Sequence, residues 1–171
     1  DAAVDPLVEH LRQAGEREDR EAIPKGWSEG AINMEDAANA LGAIGAPAVD
    51  ALRGLLVESD GWAGINAAFA LGEMDAAAAP AVPDLIQCLK TSKSHRKMRT
   101  MLDTLGSIRK GVPAQEISAL FFDDRPEWDE EIHRWWTPTD GVRTHAAMNL
   151  ARLGADSADA QEDLIKAMDD P

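Results

Sequence analysis

The sequence predicts an all-α protein, an α-solenoid of stacked antiparallel helix pairs. Three observations carry that expectation. First, the order of residue types in "AAFALGEMDAAAAPAVPDLIQCL" (67–89) returns in "AANALGAIGAPAVDALRGLL" (37–56) and, more weakly, in "MLDTLGSIRKGVPAQEISALF" (101–121) and "AAMNLARLGADSADAQEDLIKAM" (146–168). Second, the equivalent leucines Leu41, Leu71, Leu105 and Leu150 stand 30, 34 and 45 residues apart. A period near thirty marks stacked supersecondary units. Third, alanine is abundant while aromatics are only 5% and tyrosine is absent, which favours closely packed helices over a β-sandwich rich in Val, Ile, Thr and Tyr.

Each unit reads as two helices. In the first, Ile65, Ala68, Phe69, Leu71 and Gly72 recur at spacings of three and four, which is one face of a helix. Pro47, Pro80 and Pro113 then stand where a second helix begins, because proline's missing N–H and fixed φ suit a first turn. Pro83 falls in the same first turn. The second helices follow as "AVDALRGLL", "AVPDLIQCLK" and "AQEISALF", with Leu or Ile spaced for burial. The glycines of "LGAIG" are expected inside a helix, where close packing accounts for them.

The predicted units are roughly 1–31, 32–61, 62–94, 95–141 with a long insert at 123–141, and 142–171, forming one array over 1–171. "VDPLVEHLRQA" (4–14) reads as a second helix with no first helix before it, and "EDLIKAMDDP" (162–171) stops where another unit would start. Terminal units of a solenoid need polar caps, so the chain is expected to be a piece of a longer protein. Two connections are long, 15–30 and 123–141. Both join a second helix to the next first helix, so they are expected on one edge of the stack, where insertions commonly form a binding face.

These connections hold Trp27, Trp128, Trp135 and Trp136. Such residues can pin a loop to the helices. Trp and Arg are also enriched at binding hot spots, which makes Trp27, His133, Arg134, Trp135 and Trp136 candidate partner-binding residues. Arg53, Asp84, Gln87 and Lys90 are expected on a concave face built by the second helices. Trp62, opening a repeat helix, is expected to be structural.

"AANALGAIGAPAVDAL", "AAFALGEMDAAAAPAVPDLI" and "AAMNLARLG" resemble the HEAT-repeat family, in particular its short alanine-rich bacterial type similar to phycobilisome-lyase HEAT-like repeats. That resemblance implies the helical stack and leaves function open. The repeat architecture and its Trp-bearing edge lead to the expectation of a non-catalytic protein-interaction scaffold, while the resemblance implies as alternatives an accessory domain of a bacterial enzyme, such as an oxygenase similar to phytanoyl-CoA dioxygenases, or, less favoured, a bilin-handling subunit.

Charge and motif content narrow these. With 31 acidic and 17 basic residues the formal net charge is −14, which repels phosphate backbones and anionic lipid. The expected partner is therefore another protein or a fused domain, with no nucleic acid and no membrane. "SKSHRKMR" (92–99) is expected to be the charged outer face of a helix start or a contact for an acidic partner. Cys88 is the single cysteine, so no internal disulfide or CxxC site can form, and its apolar setting "LIQCL" predicts a buried small hydrophobe. "EWDEEIH" with His145 could gather carboxylates and imidazoles, but the spacing matches no zinc or iron pattern. Glu9-His10 reverses the His-Glu order that the iron-binding HEAT-like hydroxylases repeat. No GxSxG or Cys-His nucleophile arrangement is present. No catalytic residue, metal or cofactor is expected.

Overall fold

A computed structural model of the chain describes residues 2–20, 34–122 and 139–169. Among the described residues there is no strand, and nine α-helices follow in order: α1 (Val4–Arg20), α2 (Met34–Ile44), α3 (Val49–Glu58), α4 (Trp62–Gly72), α5 (Val82–Thr91), α6 (His95–Ile108), α7 (Ala114–Ser118), α8 (Thr139–Leu153) and α9 (Gln161–Asp169). The first helices of the units, α2, α4, α6 and α8, pack side by side, while α1, α3 and α5 follow one another on the second-helix side. One continuous core runs through the stack. This is the predicted all-α, HEAT-like solenoid of neighbouring helix pairs.

Small residues set how closely the first helices approach. Ala37, Ala38, Ala67, Ala68 and Ala70 are fully buried beside Leu41 and Leu71. Short side chains there bring backbones together and leave Leu52, Leu55, Leu56 and Leu85 to fill the space under the second helices. The glycine after the repeat leucine belongs to the same contact. A Cβ on Gly42 would lie 2.7 Å from that of Glu73, and one on Gly106 would lie 3.0 Å from the Cδ of Arg152.

The stop signal of the first helix also repeats. Four residues after the repeat leucine the backbone turns to positive φ in every unit: Gly45 (76°), Asp75 (49°), Arg109 (56°) and Gly154 (59°). Such a residue ends a helix and frees the chain to reverse. This corrects the expectation for "LGAIG": Gly42 lies inside α2 and is explained by packing, but α2 ends at Ile44 and Gly45 is needed for its φ. The prolines shift as well. Pro47 lies in a 3-10 turn (Ala46–Ala48), Pro80 lies inside a 3-10 helix (Asp75–Ala81), and Pro113 is the N-cap of α7. Of these four prolines, Pro83 alone stands in the first turn of an α-helix. A φ near −65° suits a 3-10 turn as well as an α-helical one, so the prolines mark the connector ahead of the second helix.

Two boundaries move. α1 continues to Arg20, past the predicted end at residue 14, because Gly15 is buried against α4, where a Cβ would sit 2.7 Å from the Cβ of Ala63. α8 starts at Thr139, inside the predicted insert.

Candidate interaction surface

The second helices are joined to one another by polar side chains at each unit boundary. Arg12 of α1 reaches Glu58 of α3 at 2.8 Å. Arg53 of α3 donates its Nε to Asp84 of α5 at 2.5 Å, and its Nη1 to Asp50 at 2.9 Å. Lys90 of α5 lies 2.8 Å from Glu116 of α7. The Ser118 hydroxyl of α7 donates to Asp163 of α9 at 2.7 Å. Three of the acidic acceptors hold one register position, immediately before a Leu or Ile that is buried or partly buried in a second helix: Asp84-Leu85, Glu116-Ile117 and Asp163-Leu164. The pairs are part-exposed, so each stabilises by only about 0–1 kcal/mol. Their effect is to fix the azimuth of successive helices and hold one face in a set arrangement.

Of the residues expected on that face, Arg53, Asp84 and Lys90 take part in these clasps, and Gln87 is exposed between them on α5. Hydrogen bonds donated to Asp84 and then to Asp50 raise the Arg53 guanidinium above its ordinary value, so Arg53 is a charged bridge between units. Trp27, His133, Arg134, Trp135 and Trp136 lie outside the described residues, as does Trp128. Arg12, Glu58, Glu116, Ser118 and Asp163 were not anticipated. Glu116 and Asp163 were signalled only by the acidic residue recurring before a core-facing Leu or Ile, and Arg12, Glu58 and Ser118 by nothing in the sequence.

The basic stretch 92–99 is corrected in part. Lys97 is buried, 2% exposed. Its Nζ donates to the carbonyls of Leu56 at 2.8 Å and Ser59 at 2.6 Å, the unsatisfied end of α3, and lies 3.5 Å from Asp60. A cation is favoured where the last helical carbonyls point. Asp60 in turn accepts from the Ser92 hydroxyl at 2.5 Å and the Lys93 amide at 3.1 Å. Burial pushes the Asp60 carboxyl up, but Ser92, Lys93 and Lys97 together hold it below the ordinary value. Cys88 is buried as expected, and burial raises its thiol. Arg96 lies over the Trp62 ring, 4.6 Å from its centroid, while Trp62 packs against the core.

On the first-helix side a second register appears. The residue before the repeat leucine donates to the carbonyl three residues before the leucine of the preceding unit. Thr104 donates to Ala68 at 2.7 Å, and Asn149 donates to Leu102. His145 and Arg152 of α8 both approach Asp103 of α6, at 3.3 and 3.4 Å. Among the described residues no three His, Cys, Asp or Glu side chains gather as a metal site would require.

Residues 35–58 and 65–91 match the family model described as PBS lyase HEAT-like repeat. These spans cover α2 with α3 and α4 with α5, so these two helix pairs are similar to HEAT-like repeats. No curated protein and no solved structure matches it.

Proposed function

We propose that this HEAT-like repeat chain is a non-catalytic protein-interaction scaffold that binds through its second-helix face and the adjoining long connections. The observation behind this reading is the series of clasps Arg12–Glu58, Arg53–Asp84, Lys90–Glu116 and Ser118–Asp163. Helices tied to one another before a partner arrives lose little conformational freedom on binding, so more of the contact energy appears as affinity. The formal charge of −14 favours a partner with a basic surface.

The test is affinity capture from extracts of the source cells, with and without Trp135→Ala plus Trp136→Ala. The double variant should retain its helicity and capture less of the same partner. Equal capture would remove those tryptophans from the surface, and failure of the unaltered chain to capture any protein would count against the scaffold reading.

A further inference from the structure

The connector between α3 and α4 contains Asp60-Gly61. A glycine after aspartate leaves the backbone nitrogen with no adjoining side chain to hinder its approach to the carboxyl. Such a pair can rearrange spontaneously. The Gly61 nitrogen bonds to the Asp60 Cγ and loses its proton, the Cγ–O bond breaks, water leaves, and a cyclic succinimide remains. Water then adds back. Addition at Cγ restores aspartate, whereas addition at the main-chain carbonyl leaves the backbone running through Cβ and Cγ as an isoaspartyl link. The balance needs no oxidant, reductant or cofactor, and the mass of the chain is unchanged. The Asp60 side chain is 48% exposed, so water has access to the ring.

We propose that Asp60-Gly61 is a latent site of isoaspartate formation that Ser92, Lys93 and Lys97 hold closed. To depart as water, one carboxyl oxygen must be protonated and released from its partners. Both oxygens are instead accepting hydrogen bonds or facing a cation. Oδ1 accepts from the Ser92 hydroxyl at 2.5 Å and lies 3.5 Å from the Lys97 ammonium, while Oδ2 accepts from the Lys93 amide at 3.1 Å. The nucleophile is engaged as well, since the Gly61 amide donates to the Ser59 hydroxyl at 3.3 Å. Burial favours the neutral carboxyl, but these partners outweigh it and hold the group below its ordinary value. A carboxylate kept ionised cannot lose water. Reaction therefore waits for the connector 59–61 to come away from the connector 92–94, a local opening and not a global one.

The consequence runs through Lys97. An isoaspartyl link adds one methylene to the main chain and carries its carboxylate directly on Cα. That carboxylate is one bond shorter than the aspartate's and no longer reaches Ser92 and Lys93 together. Lys97 is 2% exposed and holds the carbonyls of Leu56 and Ser59. It would lose its anion just where the lengthened backbone displaces the Ser59 carbonyl. A buried ammonium with fewer partners is destabilising, so the modification loosens the joint of α3, α4 and α6, and refolding does not reverse it. This inference is independent of the scaffold reading, since it concerns the connectors and not the second-helix face.

The chain is incubated for weeks at mildly acidic pH, folded in buffer and unfolded in urea, and isoaspartate is read by labelled methyl transfer from an isoaspartyl methyltransferase. Peptide mapping separates the product at Asp60-Gly61 from any at Asp140-Gly141. The expected result is formation at residue 60 at least about tenfold slower in the folded chain, because hydrogen bonds to a charged group must be given up before reaction. Ser92→Ala, checked for unchanged helicity, should recover much of the unfolded rate, whereas Gln87→Ala on the second-helix face should stay slow. Equal rates in the folded and unfolded chain, or a folded Ser92→Ala variant as slow as the unaltered chain, would overturn the inference.

Discussion

Two helical glycines, Gly54 and Gly64, should respond to alanine with opposite signs. Ordinarily alanine in a helix interior stabilises by about 1 kcal/mol over glycine. Gly54 in α3 meets nothing within 4 Å of an added Cβ, so Gly54→Ala should gain that amount, raising the melting temperature by roughly 2–4 °C in a chain of this size. Gly64 in α4 is different. A Cβ there would lie 2.0 Å from the Ser59 carbonyl oxygen, while ordinary contact begins at 3.4 Å. That oxygen is held by the Lys97 ammonium at 2.6 Å, and a shift of more than an ångström would break the bond. Overpacking costs about 1–3 kcal/mol, and a lost hydrogen bond to a charged group costs about 1.5–3 kcal/mol. Less the alanine gain, Gly64→Ala should destabilise by about 3 kcal/mol, a fall of roughly 6–12 °C. Thermal melts followed by circular dichroism would decide the matter. A Gly64→Ala variant as stable as Gly54→Ala would refute the close approach of α4 to the end of α3, and with it the role given to Lys97.

Other consequences are checked by the same melts. Arg109 holds a φ of 56° that costs an L-residue about 1–2 kcal/mol, so Arg109→Gly should stabilise by about 1 kcal/mol; a loss would mean that the Arg109 side chain contributes more than its backbone strain. The Asp60 carboxyl is held below its ordinary value of 3.8, so its contribution is complete above that value and fades as the pH falls through the lower folded-state value. Asp60→Asn should therefore lose less stability than the unaltered chain as the pH falls from about 4 downward, and parallel acid titrations would contradict the Ser92–Asp60–Lys97 network.

Much of this architecture was legible because it rests on periodicity. The leucine register located the first helices, and the repeated small residues indicated their close packing. The positive φ at Asp75 and Arg109 was not legible, since glycine alone advertises such a conformation, and it was the alignment with Gly45 and Gly154 that gave those two residues their meaning. Lys97 was misplaced for a related reason. A lysine among basic neighbours looks solvated, and nothing local reveals that the carbonyls ending α3, some forty residues earlier, lie above it. The clasps were not legible: Arg53, Asp84 and Lys90 were expected on a concave face of the second helices, and their pairing across units depends on azimuths that only the folded stack defines.

The most direct test of the scaffold reading is hydrogen–deuterium exchange on the chain alone and in complex with its captured protein partner. Added protection is expected on α3, α5 and α7 and in the long connections 15–30 and 123–141, with the buried first helices α4 and α6 equally protected in both states. Protection confined to the first helices, or slow exchange in α3 and α5 appearing only after binding, would contradict a preformed second-helix surface.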